Sequence, residues 1–258
     1  MMPNPPATSH PASPLPASPQ AATAATTVAA DALQAVAVAV AADARVALVA
    51  GATGLVGREI LARLLADKGY SAVHCVGRRQ PGITHPKLVS HLVEDFATFQ
   101  APAANEVFIA LGTTIKVAGS QQAFRAVDFD AVLAVARSAR AAGARRLGIV
   151  SAMGADAKSS VFYNRVKGEM ESAVSRLGYD SVVLARPSLL SGDRSILGQA
   201  RRSAEKFAAT TMRLLRPVTP ANYRAIAAAD VAATLVRTLQ NTPSGQRVLL
   251  SGEMQPRG

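Results

Sequence analysis

Tryptophan is absent from the 258 residues, and aromatic side chains make up only 4% of them. A core must therefore be aliphatic, for which a hydrophobic share of 49% is ample. So few aromatics also give no base-stacking platform, and no helix-turn-helix or zinc-finger pattern is present, so no nucleic-acid partner is expected. Cys75 is the only cysteine. It permits no intrachain disulfide and sits in an apolar run, which suggests a small core residue in a reducing, cytoplasmic setting. The four histidines, His10, His74, His85 and His91, show no HExxH or Cys/His spacing, so no metal site is expected. Neither Lys nor Arg occurs before Arg45, which argues against a normal signal peptide and a mitochondrial presequence.

Positive charge is plentiful by contrast. The formal net charge is +11, which by itself suits anionic partners such as nucleic acid, acidic membrane or phosphate-bearing cofactors, or reflects an Arg-rich surface. Its distribution divides the chain. Residues 1–43 open on "PNPPATSHPASPLPASPQ" and continue into an Ala-dominated stretch interrupted by Asp31, Gln34 and Asp43. Such a segment buries too little to offset its ordering entropy, and it is expected to be a disordered extension, not a membrane span. Residues 44–258 are expected to form one domain with a C-terminal lid.

From Arg45 onward short apolar runs alternate with amphipathic ones. "RVALVA", "SAVHCVG", part of "KLVSHLVEDF", "NEVFIAL", "ARRLGIVSA" and "DSVVLARPS" are expected strands, with "QRVLLSG" as a last one. Helices are expected between them, including a long one capped by Ser120, one over residues 159–178, and two across residues 196–240. This alternation predicts an α/β fold with a parallel sheet covered on both faces.

"VALVAGATGLVGREI" lies at the first strand–helix junction. Gly51 allows a tight turn, Gly54 lets the backbone approach a pyrophosphate, and Gly57 lets helix and strand pack closely. Together with Thr53, Leu55 and Val56 they form a phosphate loop at a helix N-terminus, whose free N–H groups favour anions. The fold is then a Rossmann-like doubly wound sheet with a small C-terminal substrate lobe. After the second strand, where an acid would read the ribose hydroxyls of NAD, the chain has Arg78 and Arg79. Guanidinium groups there would pair with a 2′-phosphate and so prefer NADP(H) over NAD(H); the alternative is two solvated arginines. Asp95 would receive the adenine amino group, and Leu111, Gly112 and Thr113 would wall the nicotinamide side.

The helix over residues 159–178 carries a core stripe of Phe162, Val166, Met170, Ala173 and Leu177. Tyr163 and Lys167 flank it, four residues apart on one face. In this position an ammonium would favour the phenolate and lower the tyrosine pKa, making Tyr163 a proton donor. The competing reading is a tyrosine beside a core and a solvated lysine.

"GATGLVG", "SAMG" and "YNRVK" resemble the short-chain dehydrogenase/reductase superfamily. "LGTTIKVAGSQQAFRAVDFD", "FYNRVKGEMESAV" and "ARPSLLSGDR" are similar to its atypical group around the HIV Tat-interacting protein. The resemblance covers residues 45 to about 250. It implies NAD(P) binding and carbonyl or alcohol chemistry, with catalytic Ser151, Tyr163 and Lys167, the last also holding the nicotinamide ribose. It likewise puts the cofactor-reading arginine on Arg78 and a proline near the nicotinamide on Pro187. Many members relay protons through an Asn in the long helix, whereas this chain has Asp128 and Asp130 there. The short C-terminal part argues against epimerase or dehydratase chemistry. The expected function is thus an NADPH-dependent oxidoreductase on a small carbonyl or alcohol; the alternative is an NADPH-binding regulatory or assembly protein with little turnover. Arg194, Arg201, Arg202, Lys206, Arg213, Arg216 and Arg224 have three competing uses: binding an anionic substrate, touching acidic lipid (as a peripheral contact) or nucleic acid, or solvating a helix. No motif fixes an oligomeric state.

Removing residues 1–43 is expected to leave a folded domain, because they carry no buried pattern. Melting temperatures of the full chain and of residues 44–258 check this, and a large fall on truncation would contradict it.

Overall fold

The computed structural model describes residues 44–191 and 220–256. The extension expected over 1–43, the helix expected from residue 196 and the basic residues from Arg194 to Arg216 lie outside the described residues.

The chain runs β1 (Arg45–Ala50), α1 (Leu55–Ala66), β2 (Tyr70–Gly77), β3 (Leu88–Leu92) and β4 (Glu106–Ile109). A one-turn helix at Ile115–Ala118 precedes the long helix α2. That helix starts as Gln121–Arg125, widens into a π-helical turn over Ala126–Ala131 and continues as Val132–Ala141. Then come β5 (Arg146–Val150), α3 (Phe162–Val174), β6 (Ser181–Arg186), β7 (Leu190–Ser191), β8 (Ile226–Ala227), α4 (Ala228–Asn241) and β9 (Gly245–Leu250).

Seven strands form one sheet in the order β3-β2-β1-β4-β5-β6-β9, every neighbouring pair parallel, while β7 and β8 make a small parallel pair of their own. The expected doubly wound sheet is therefore present. The third strand stops at Leu92, and Asp95 caps a 3-10 turn over Phe96–Thr98. The helix expected from residue 159 begins only at Phe162.

A parallel sheet with helices on both faces needs apolar side chains on both sides of each strand. Along β1, Ala47 and Val49 enter one core layer, while Leu48 and Ala50 enter the other. The first layer is closed by Ile60, Leu61 and Leu64 of α1 with Val231, Leu235 and Leu239 of α4. The second is closed by Val132, Val135 and Ala136 of α2 with Met170 and Val174 of α3. All of these are small or aliphatic, as the scarcity of aromatics requires. Among the described residues, no helix is long and apolar enough to cross a membrane.

The amino end of the sheet is tied by a polar cluster. Glu106 at the start of β4 is fully buried. Tyr70 donates its hydroxyl hydrogen to Glu106 Oε2, and Arg45 and Arg146 each lie 3.5 Å from Oε1. The cluster joins β1, β2, β4 and β5 across the sheet. Glu106→Ala would remove the shared acceptor and leave the Tyr70 hydroxyl hydrogen without one, although that oxygen still accepts from Gln240 at 3.1 Å. Because the two guanidinium groups reach solvent, the expected loss is about 3 kcal/mol, the lower end for breaking a buried pair, read as a fall in the urea midpoint at unchanged slope.

Candidate functional site

At the carboxyl end of the sheet, chain direction diverges between β1 and β4: β1 leads to β2 on one side, and β4 leads to β5 on the other. Loops leaving neighbouring strands towards opposite sides open a crevice, where open α/β sheets bind ligands. A cleft of about 1550 Å³ occupies this place.

The loop after β1 forms its floor. Gly51 has φ +84°, and a Cβ there would lie 2.6 Å from the Ala110 carbonyl oxygen. A Cβ on Gly57 would lie 2.0 Å from the Gly51 oxygen, so α1 rests directly on the loop. Gly54 is different: a Cβ there would sit 3.3 Å from the Gly51 oxygen, a contact that a small adjustment would relieve. Its missing side chain mainly leaves the backbone open to the cleft. Gly54 is the N-cap of α1 and supplies no side-chain hydrogen bond, so the N–H groups of the first turn remain available to an anion. This arrangement fits a pyrophosphate.

Gly51, Thr53, Gly54, Leu55 and Val56 line the cleft, as do Arg78, Arg79 and Asp95, and Leu111, Gly112 and Thr113. Both arginines are exposed at its rim. Asp95 already accepts a hydrogen bond from the Ala97 N–H at 2.9 Å. Gly57 serves packing and is not a lining residue, nor is Pro187. Pro187 is buried, with its carbonyl accepting from Met153 N–H; Ser188, Leu189 and Leu190 present themselves to the cleft instead. The expected contact of Pro187 with the cleft is thus not found. The chain turns at Pro187 so that the three residues after it reach the opening.

Ser151, Tyr163 and Lys167 all line this same cleft. Ser151 follows β5, its N–H donates to Ala185, and its Oγ is buried with no hydrogen-bond partner in the described residues. Tyr163 lies against Phe124, ring centroids 5.3 Å apart. Lys167 is buried, and its Nζ lies 2.8 Å from Asp128 Oδ1 in an ion pair that is not an aligned hydrogen bond. Asp128 Oδ2 accepts from the Thr113 N–H at 2.8 Å. Gly112 backs onto the pair: a Cβ there would come within 3.3 Å of Asp128 Oδ1.

This pairing overturns the expected tuning of Tyr163. Burial pushes the phenol up to about 12, and the Asp128 carboxylate adds to the rise; Lys167 does not lower it. Asp128 is itself held above the usual carboxylate range by burial, against the opposing pull of Lys167 and the Thr113 N–H. Sequence reasoning noted Asp128 only as a departure from an Asn. A sharper signal was present: Phe124, Asp128 and Val132 recur at steps of four along α2, and all three are buried. A carboxylate inside an apolar stripe needs a partner.

No family model matches the chain. Against curated proteins it is 36% identical over 175 residues to "Protein fmp52, mitochondrial" of Emericella nidulans, covering 64% of this chain and 75% of that one. It is 33% identical over 210 residues to "Protein HTATIP2" of Rattus norvegicus, covering 79% and 84%. Similar solved structures include "MoeE5 in complex with UDP-glucose and NAD", with a TM-score of 0.59 at 17% identity over 80% of this chain and 75% of that one. Another is a short chain dehydrogenase family protein from Francisella tularensis, with a TM-score of 0.58 at 13% identity over 81% and 98%. At such identities the structural likeness concerns the fold alone. The fungal relatives are named mitochondrial, which corrects the expectation of a cytoplasmic location. A lone cysteine rules out an intrachain disulfide and does not single out the cytosol.

Proposed function

The chain belongs to the atypical short-chain dehydrogenase/reductase family, in the group of HTATIP2 and the fmp52 proteins, and from that premise we propose that it is an NADPH-dependent oxidoreductase acting on a small carbonyl or alcohol. The observation that carries this reading is Ser151 Oγ. It is buried and unpaired in a cleft that Tyr163 and Lys167 also line. A buried hydroxyl left unpaired costs about 1–3 kcal/mol. A substrate oxygen would satisfy it.

The chain's own residues then divide the work. The N–H groups at the start of α1 and the bare backbone of Gly54 bind phosphate. Arg78 and Arg79 offer charge-assisted hydrogen bonds to a 2′-phosphate at the rim, and Lys167 holds ribose hydroxyls. Ser151 orients the substrate oxygen, and Tyr163 gives that oxygen its proton. A bound nicotinamide would supply the hydride. The second reading, an NADP(H)-binding regulator with little turnover, is favoured by Asp128. It stands where many members have an Asn and already engages Lys167.

NADPH is expected to bind more tightly than NADH. Arg78→Ala should weaken NADPH by roughly tenfold, about the worth of one hydrogen bond to a charged group, and leave NADH nearly unchanged. Fluorescence titration of both cofactors checks this, and equal affinities in the native protein would rule it out. Tyr163→Phe separates the two functions. It retains the ring against Phe124, so cofactor affinity should hold, while turnover of a carbonyl found by screening NADPH consumption should fall by about 10²–10⁴-fold. Native turnover by Tyr163→Phe would refute the oxidoreductase mechanism.

A further inference from the structure

Resting on the oxidoreductase reading, we propose that Asp128 is a positioning residue that holds the Lys167 ammonium to itself and so keeps the Tyr163 hydroxyl protonated, suiting the site to carbonyl reduction near neutral pH. The geometry begins in α2. Its π-helical turn, Ala126–Ala131, carries Asp128 inward until the carboxylate meets two groups at once. Oδ2 is fixed by the Thr113 N–H, and Oδ1 by Lys167, each at 2.8 Å. Both members of the pair are almost wholly buried, so water does little to separate or screen their charges.

An isolated ammonium four residues from a tyrosine would draw the phenol towards its anion. Paired at 2.8 Å with a carboxylate, it offers the short-range field of a dipole, not the field of a free cation. A phenolate at Tyr163 would also face the carboxylate itself, in a pocket whose other wall is the Phe124 ring. The buried charges beside it agree on this sign: from α2 comes Asp128, and from α3 comes Lys167, already paired. Asp130 of α2 lies further along the cleft lining. The other cations of the lining, Lys116, Arg78 and Arg79, are exposed, where water and salt screen them. Ser151 at the end of β5 and the Thr113 N–H after β4 are neutral. Arg125 lies across the α2–α3 interface in an ion pair with Glu169, so its charge is also compensated. Burial and Asp128 together place the phenol near 12, so its acid form prevails at every pH below that.

The consequence is directional in its pH dependence. In reduction Tyr163 loses its proton to the carbonyl oxygen, the O–H bond forming there as the phenol O–H breaks, and the phenolate regains a proton from solvent. In oxidation the phenolate must exist first, to accept the alcohol proton. Asp128 leaves the overall equilibrium untouched, but it moves the alkaline limb of the oxidative direction upward.

The absence of tryptophan makes a direct test practicable, because the tyrosinate ultraviolet band is read against four tyrosines and no indole. Full-length native protein and Tyr163→Phe should show the same rise in that band up to about pH 11, a unit above the ordinary tyrosine value. A tyrosine step that is present in the native protein below that pH and missing from Tyr163→Phe would overturn the proposal. Asp128→Asn keeps the shape and removes the charge. Compared with Asp128→Asn/Tyr163→Phe, it should show Tyr163 titrating about one to three pH units lower; an unmoved Tyr163 would overturn the proposal as well. Should Asp128→Asn fail to fold, Asp128→Ser compared with Asp128→Ser/Tyr163→Phe reads the same downward shift, since burial alone would hold the native phenol high. Where a substrate is in hand, the alkaline limb of alcohol oxidation should shift down in Asp128→Asn, and an unshifted limb counts against the proposal. A protein that turns over no carbonyl or alcohol refutes the oxidoreductase reading, while the titrations judge Asp128 on their own.

Discussion

Helix α1, the loop after β1 and the loop after β4 are in main-chain contact, and that contact exists only because Gly51 and Gly57 carry no side chain. Any Cβ at Gly57 would drive α1 off the loop, and any at Gly51 would drive the loop off β4. The separation of the cleft floor from its far wall is therefore set by backbone, not by side chains that can change rotamer. Leu111, Gly112 and Thr113 inherit their positions from this contact. Through the Thr113 N–H so does Asp128, and through Asp128 so does Lys167. The chain of dependence runs from two glycines to the ammonium of the proposed catalytic pair.

The second constraint is electrostatic. Burying a carboxylate and an ammonium costs several kcal/mol per ion, and mutual attraction offsets this only when geometry is good and remaining valences are satisfied. Here one carboxylate oxygen faces the ammonium in an ion pair and the other accepts a backbone N–H, so the condition is met in full at Oδ2 and by charge at Oδ1. The π-helical turn is what allows it. The widened turn places Asp128 within the buried stripe of Phe124 and Val132 without interrupting α2.

Much of this was legible in the residues. The alternation of β1, with Ala47 and Val49 against Leu48 and Ala50, follows from apolar runs long enough to be buried on both faces. The order of glycines after β1 was enough to locate the cleft floor. What the sequence left hidden shares one cause, contact between segments far apart in the chain. Tyr163 and Lys167 are four residues apart, so their proximity could be read locally, but the partner that changes its meaning comes from another helix. Pro187 was placed by resemblance near the nicotinamide. The turn after β6, which buries it and brings Ser188 to Leu190 forward, depends on Met153 and on β8 beyond the described gap. Asp95 was read as a ligand for adenine because it follows β3, although its nearest N–H, on Ala97, already claims one oxygen.

The strand order also has a temporal side. Every neighbouring pair in the seven-stranded sheet is parallel, so no two strands can be joined by a tight hairpin, and each pairing waits for a crossover. As the chain leaves the ribosome, β1, β2 and β3 are available together and can assemble one half of the sheet. The other side of β1 stays open until β4 arrives from residue 106 onward. The seam between those halves is where the cleft lies. A nascent chain thus owns a complete glycine loop long before it has an opposing wall. The site comes into being only when the second half of the sheet docks on a strand that has been waiting with a bare edge.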